Sequence, residues 1–228
     1  MALVSGNVIG NLSGRLGNLS ARTVNGQTIL AARPSSFNAS QDPAALTVRS
    51  KFAVTANFAK NVLSLSTLEE IWKKTKASGI SVFNAIFKAN FSFSTTTKPT
   101  EQNILTPEGF ALPVTEAEVA ADKITASISA LNTTAIFGAE ETALSANALV
   151  VFSNPTVPTD PEFQIAALSK EVANFNFTEN YNLQIDFNIV QANIAAKYQD
   201  SVLLLAVASK DAAGKVVQNS STYSKISA

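Results

Sequence analysis

The chain of 228 residues contains no cysteine and no histidine. The first absence excludes disulfides and thiolate chemistry and leaves the redox compartment unread. The second removes the commonest general base and the commonest metal ligand. An enzyme is therefore not expected, and neither is a cofactor. Long apolar runs are missing as well: the longest, Val202 to Ala208, is far too short to span a membrane. No cationic segment followed by an apolar one opens the chain, so no cleavable signal peptide is expected. Charged residues are few, at 15%, beside 46% hydrophobic, which is ordinary for a folded soluble protein.

The charges that exist are unevenly spread. Residues 1–98 carry eleven Lys/Arg and three Asp/Glu, a net +8, and residues 99–228 carry six and fourteen, a net −8. Two regions of different surface composition would give this, and so would a polar molecule that stacks positive end on negative end.

Five of the nine glycines, Gly6, Gly10, Gly14, Gly17 and Gly26, fall in the first 34 residues, which hold three arginines and no acid. LSARTV and QTILAA flank Asn25-Gly26, the residue pair of a two-residue type I′ hairpin. The segment before it is too short and too glycine-rich to hold a shape alone. Such an arm orders against its own domain or a neighbouring subunit. Val8, Ile9, Leu12, Leu16 and Leu19, with Arg15 among them, are its candidate subunit contacts.

Pro34 to Pro43 reads as a loop, and Asp42-Pro43 as a helix start. Ala45, Val48, Phe52, Ala56, Ala59 and Leu63 then form one apolar helical face. Ser66-Thr-Leu-Glu69 has the form of a capping box and opens a second helix, whose face holds Leu68, Ile71, Trp72 and Thr75. Lys73, Lys74 and Lys76 suit its C-terminal dipole. Ile80, Phe83, Ile86 and Phe87 predict a third helix up to about Asn90. The lysine cluster has no interleaved aromatics and no recognition motif, so no nucleic-acid specificity is read from it.

At Phe91 the period changes, and a linker-like stretch with two prolines places a boundary near residues 95–110. Strands are expected in Lys123–Leu131, Asn147–Phe152, Gln164–Leu168, Asn182–Val190, Val202–Ser209 and Lys215–Gln218, with an edge strand in the tail. Gln191 to Gln199 reads as a short helical crossover. Regular turns between short strands suggest an antiparallel immunoglobulin-like β-sandwich, without the Cys…Trp…Cys framework of antibody domains. The expected class is α+β, in three parts: arm and hairpin over 1–34, a helical segment over 35–95, and the sandwich over 96–228.

Among acids, Glu69-Glu70 suits a helix N-terminus. Glu116, Glu118 and Asp122 lie close enough in sequence to hold Ca²⁺, but no D-x-D-x-D-G loop supports that, and solvated surface is the better reading. The glycine arm is neither a P-loop nor a dinucleotide fingerprint.

Gly14-Arg15-Leu16-Gly17-Asn18, Asn25-Gly26 and Ala32-Arg33-Pro34 at one end, with Gly214-Lys215-Val216-Val217-Gln218-Asn219-Ser220 and Tyr223 at the other, resemble a family of uncharacterised, often phage-associated proteins from Bacteroidetes. The resemblance implies a glycine-rich hairpin, a helical segment and a β-sandwich. It implies no activity, and it favours a structural or appendage protein.

Two functions are thus expected in competition. One is a self-assembling structural subunit of a virion (capsid, tail or fibre) or of an extracellular or cell-surface filament. Its partners would be copies of itself, and other virion or cell-surface proteins. The other is a monomeric sandwich that binds a glycan or surface protein through loops such as Pro155–Pro161.

Overall fold

A computed structural model describes residues 2–4, 13–24, 26–33, 36 and 38–227. The chain forms two compact units, residues 1–46 and residues 47–228.

The first unit is an antiparallel sheet of β1 (Ala2–Val4), β2 (Gly14–Leu16), β3 (Leu19–Val24) and β4 (Gln27–Ala32), ordered β1-β4-β3-β2. Val24 pairs with Gln27, so the expected two-residue hairpin at Asn25-Gly26 is present, with Gly26 at φ +77°. A second one joins β2 to β3: Leu16 pairs with Leu19 across Gly17-Asn18, and Gly17 takes φ +56°. Glycine at the first central position is the type II′ pattern.

Three helices follow: α1 (Pro43–Leu63), α2 (Ser66–Thr75) and α3 (Val82–Asn90). Asp42 starts α1 as expected, its carboxylate accepting from the Ala44 N–H at 2.8 Å. The buried face of α1 differs from the predicted one. Val54, Thr55, Phe58, Ala59 and Val62 face the core, whereas Val48 and Phe52 are exposed. Apolar residues surround this helix, so spacing alone admits two stripes, and packing selects the one near its C-terminus. The capping box is also corrected. The N-cap of α2 is Leu65, with no side-chain cap, and Ser66 and Thr67 lie inside the first turn. The Thr67 hydroxyl instead meets Ser145 at 2.9 Å.

The rest of the chain is rich in sheet. β7 (Glu141–Pro155), β8 (Phe163–Ala173), β10 (Tyr198–Asp211), β11 (Val216–Asn219) and β12 (Tyr223–Ser227) make one antiparallel sheet, ordered β11-β10-β7-β8, with β12 also on β10. β5 (Val114–Val119), β6 (Lys123–Ile128) and β9 (Tyr181–Asp186) make a smaller antiparallel sheet. A short helix, α4 (Ile189–Ala195), leads from β9 to β10 under an Asn188–Gln191 capping box.

The larger sheet is covered on both faces. Side chains alternate along a strand. From β7, Ala148, Val150 and Phe152 join Ile124, Ile128, Leu183 and Leu203 in a core shared with the small sheet. Leu149 and Val151 join Phe58, Leu68, Trp72 and Ile86 in a second core under the helices. This explains the unbroken apolar runs of β7 and β10. A strand covered on both faces has no solvent side to mark with polar residues.

The sheet margins are closed by side chains that hold backbone carbonyls. Lys225 Nζ donates to Ala117 O, Lys170 Nζ to Gln184 O at 2.8 Å, and Gln191 Nε2 to Ala167 O at 3.0 Å. Side chains laid over an edge in this way hinder the pairing of a further strand at those carbonyls.

Candidate functional site

The first unit contains the predicted contact residues. Arg15 lies on β2 and is exposed, paired with Ser20. Leu16 ends β2 and pairs with Leu19, which is half-buried at the start of β3. Val8, Ile9 and Leu12 lie outside the described residues. Within the sheet, the Arg33 N–H donates to Asn18 O at 2.8 Å and Ser20 Oγ to Ala31 O at 3.4 Å. The pairing of β1 with β4, Ala2 opposite Leu30, escaped sequence reading, because three residues are too few to show a period. Among the residues of this unit whose burial is described, only Ala21 and Thr28 are buried.

In the second unit, two polar clusters invite a chemical reading, one buried around Glu141 and one reaching the surface from the buried Ser145 to the exposed Glu171. Glu141 begins β7 and is buried. Its carboxylate accepts from Ser209 Oγ, from Gln218 Nε2 at 2.9 Å and from the Gly138 N–H at 2.7 Å. Those neutral donors satisfy both carboxylate oxygens, and Ser209 and Gln218 tie β7, β10 and β11 together. In the second cluster Ser145 Oγ donates to Glu171 at 2.6 Å and Lys210 Nζ pairs with the same oxygen at 2.8 Å. Because the Ser145 proton points to Glu171, Thr67 is the donor in its bond to Ser145. This cluster pins the start of α2 to the sheet.

The acids Glu116 and Glu118 are exposed on β5, and Asp122 is exposed beside the β5–β6 turn. Among the described residues, no group of three His, Cys, Asp or Glu is placed to hold a metal ion. Of the lysine cluster, Lys74 reaches across to Val216 O and pairs with Glu70 at 3.0 Å, joining α2 to β11. Lys73 is exposed. Tyr198, buried at the start of β10, donates its hydroxyl to Pro161 O at 2.9 Å. Burial, followed by the nearby Asp160 carboxylate, raises its phenol above the ordinary value of 10.0, against the opposing pull of Lys197 and a Gln164 hydrogen bond.

Between α2 and α3 lies an open groove of about 390 Å³, lined by Trp72, Ile80, Ala85 and Pro107, with Lys76 and Lys88 also on its walls. Ala85 and Ala89 are four residues apart on one face of α3, and their small side chains leave the gap.

These features define an α+β protein whose sheets are all antiparallel and whose polar clusters join elements together. No family model matches the chain, and no curated protein matches it. Among solved structures, it is similar over part of its length to β-glucosidase from Kluyveromyces marxianus. The selenomethionine-labelled form gives a TM-score of 0.22 and the glucose complex 0.21, each at 14% identity. Each match covers 62% of this chain and 17% of the enzyme's. At these scores the likeness carries no argument about activity. No helix among the described residues is long and apolar enough to cross a membrane.

Proposed function

We propose that this chain is a non-enzymatic structural protein that assembles with copies of itself, as a subunit of a virion (capsid, tail or fibre) or of an extracellular filament. The N-terminal sheet makes the contacts between subunits. One observation carries this reading: the first unit has four strands and, among those of its residues whose burial is described, only Ala21 and Thr28 are buried. Ordering a residue costs roughly 1–2 kcal/mol of backbone entropy, and a sheet with so little core does not offset that alone. Its outer strands, β1 and β2, have no further strand beside them among the described residues. An added strand or an opposing surface supplies the missing stabilisation.

The body of the subunit is an immunoglobulin-like sandwich. Supporting this, β7 and β10 are neighbours at the centre of one sheet, with β11 and β12 beside β10, and β5-β6-β9 form the facing sheet. We read β7, β10 and the β11–β12 pair as counterparts of the C, F and G strands, and β5, β6 and β9 as counterparts of A, B and E, with β8 added on the C side. The absence of His and Cys, the commonest general base and a common nucleophile, favours a non-enzymatic role. The resemblance of both chain ends to a phage-associated family points the same way.

Mass photometry and negative-stain microscopy of the full chain, and of a chain lacking residues 1–20, test the proposal. The full chain is expected to form multimers and the shortened one a folded monomer. A shortened chain that assembles equally well removes the arm as the joint. A full chain that stays monomeric at every concentration removes the structural-subunit reading itself.

A further inference from the structure

We propose that the groove between α2 and α3 receives the Ile136 corner of a second copy of this chain; this rests on the self-assembly proposed above and names one of its contacts. Ile136 is 94% exposed. A single exposed isoleucine is ordinary on a protein surface. This one differs in being rigidly mounted. Its carbonyl accepts from Gln218 Nε2 at 2.9 Å, and the preceding Ala135 N–H donates to Leu131 O at 3.2 Å. The following Phe137 stacks on Phe177 with ring centres 4.1 Å apart and meets Phe110 edge-on at 5.6 Å. The corner cannot fold its isoleucine inward without breaking that aromatic cluster. Glu140, four residues on, is exposed, and its carboxylate lies against Gly138, two residues beyond Ile136.

The groove matches this corner in polarity and in charge. Trp72, Ile80, Ala85 and Pro107 give it apolar walls, and Lys76 and Lys88 give it positive ones. Neither lysine is in an ion pair among the described residues. An apolar peg flanked by a carboxylate fits an apolar groove flanked by ammonium groups, and opposite potentials set orientation and encounter rate. One isoleucine buries far less than the about 800 Å² per partner of a stable interface. The contact therefore sets register within an assembly held by other surfaces. Peg and groove are different parts of the chain, so the contact is heterologous, and repeating it gives a ring or an open filament.

The test places the photoreactive residue p-benzoylphenylalanine at position 136 of the full chain, mixed with ¹⁵N-labelled chain at a concentration where multimers form. Irradiation is expected to give mixed-isotope products joined to residues 72–89. The reciprocal probe at position 77, on the groove wall, should capture residues 131–141, which covers the case in which a bulky group at 136 blocks docking. Lys76→Glu with Lys88→Glu should lower the yield about fivefold, the scale of one or two exposed ion pairs. Adding Glu140→Lys to that chain should restore it. Multimers whose products map elsewhere, or whose yield ignores the charge reversal, overturn the docking and leave self-assembly standing. A chain that is monomeric throughout overturns both.

Discussion

Gly109 lies directly against the backbone of Ser220, which stands beyond it in the closing segment of the chain. A β-carbon at Gly109 would come within 2.5 Å of the Ser220 carbonyl carbon, and Gly109 holds φ +145°, which side chains rarely adopt. The close approach lets the Phe110 N–H reach Asn219 O at 3.1 Å and the Ser221 N–H reach Phe110 O at 2.7 Å. Together they stitch the segment after the helices to the end of the sheet.

Gly109→Ala is therefore expected to destabilise the fold by about 3 kcal/mol or more, combining steric overlap with backbone strain. Gly214→Ala is the control. Gly214 takes φ +77° but has open space around it, so only strain applies, about 1 kcal/mol. Urea unfolding followed through Trp72, the single tryptophan, checks both. Equal losses would show that the backbone contact is without effect.

Asn90 governs the turn after α3. Its amide donates to Ile86 O at 3.0 Å and Ile104 O at 3.1 Å, and its oxygen accepts from the Ile104 N–H at 2.8 Å and Asn103 Nδ2 at 3.0 Å. It is fully buried. Asn90→Ala leaves several buried groups unpaired, at a cost of about 3 kcal/mol. Asn90→Asp sets a carboxylate against two carbonyl oxygens in a dry site, which favours its neutral form and raises its folded pKa. A raised folded pKa gives stability that is present at acid pH and lost as pH rises. The Asp variant should thus regain stability on acidification, whereas the Ala variant should keep a constant deficit. Parallel denaturation curves across pH would distinguish them, and an Asp variant insensitive to pH would contradict the buried geometry.

Tyr198 gives a pH effect at the other end of the scale. Its phenol is raised above 10.0 in the fold, chiefly by burial. The neutral form is the one stabilised, so its contribution is complete below pH 10 and is lost as pH rises through the folded value. Tyr198→Phe should cost about 1 kcal/mol near neutrality, from the lost bond to Pro161 O. It should also flatten the decline above pH 10. Thermal melts from pH 8 to 11 measure both, and identical alkaline slopes in the two proteins would rule out Tyr198 as the cause.

Much of this fold is legible in the residues, for local reasons. Asp42-Pro43 and Asn25-Gly26 encode their structures within a few positions, and α1 and the β3–β4 hairpin appear where those signals stand. The buried runs of β7 and β10 are recognisable because both faces are apolar. The misses are tertiary. The buried stripe of α1 is chosen by the sheet beneath Phe58 and Val62, and Thr67 leaves its capping motif to meet Ser145. β5 passes unnoticed because its alternating VTEAEV presents a single buried residue, Ala117. The Ile136 corner and its matching groove have no sequence signal. One depends on aromatic stacking from Phe177, the other on two helices meeting at small side chains.

The covering of the large sheet by helices also imposes a timetable. The helices are synthesised before any strand they cover. Thr67 waits 78 residues for Ser145, and Glu70 waits 146 for the Val216 N–H that its carboxylate accepts. At about 5–20 residues per second, the second interval lasts roughly 7–30 s on the ribosome. Until β7 has been made, Leu68, Ile71 and Trp72 have no sheet to rest on. The nascent helical layer thus keeps its apolar face uncovered while the strands are being made, and the contact between α2 and β11 closes only once Val216 has been added.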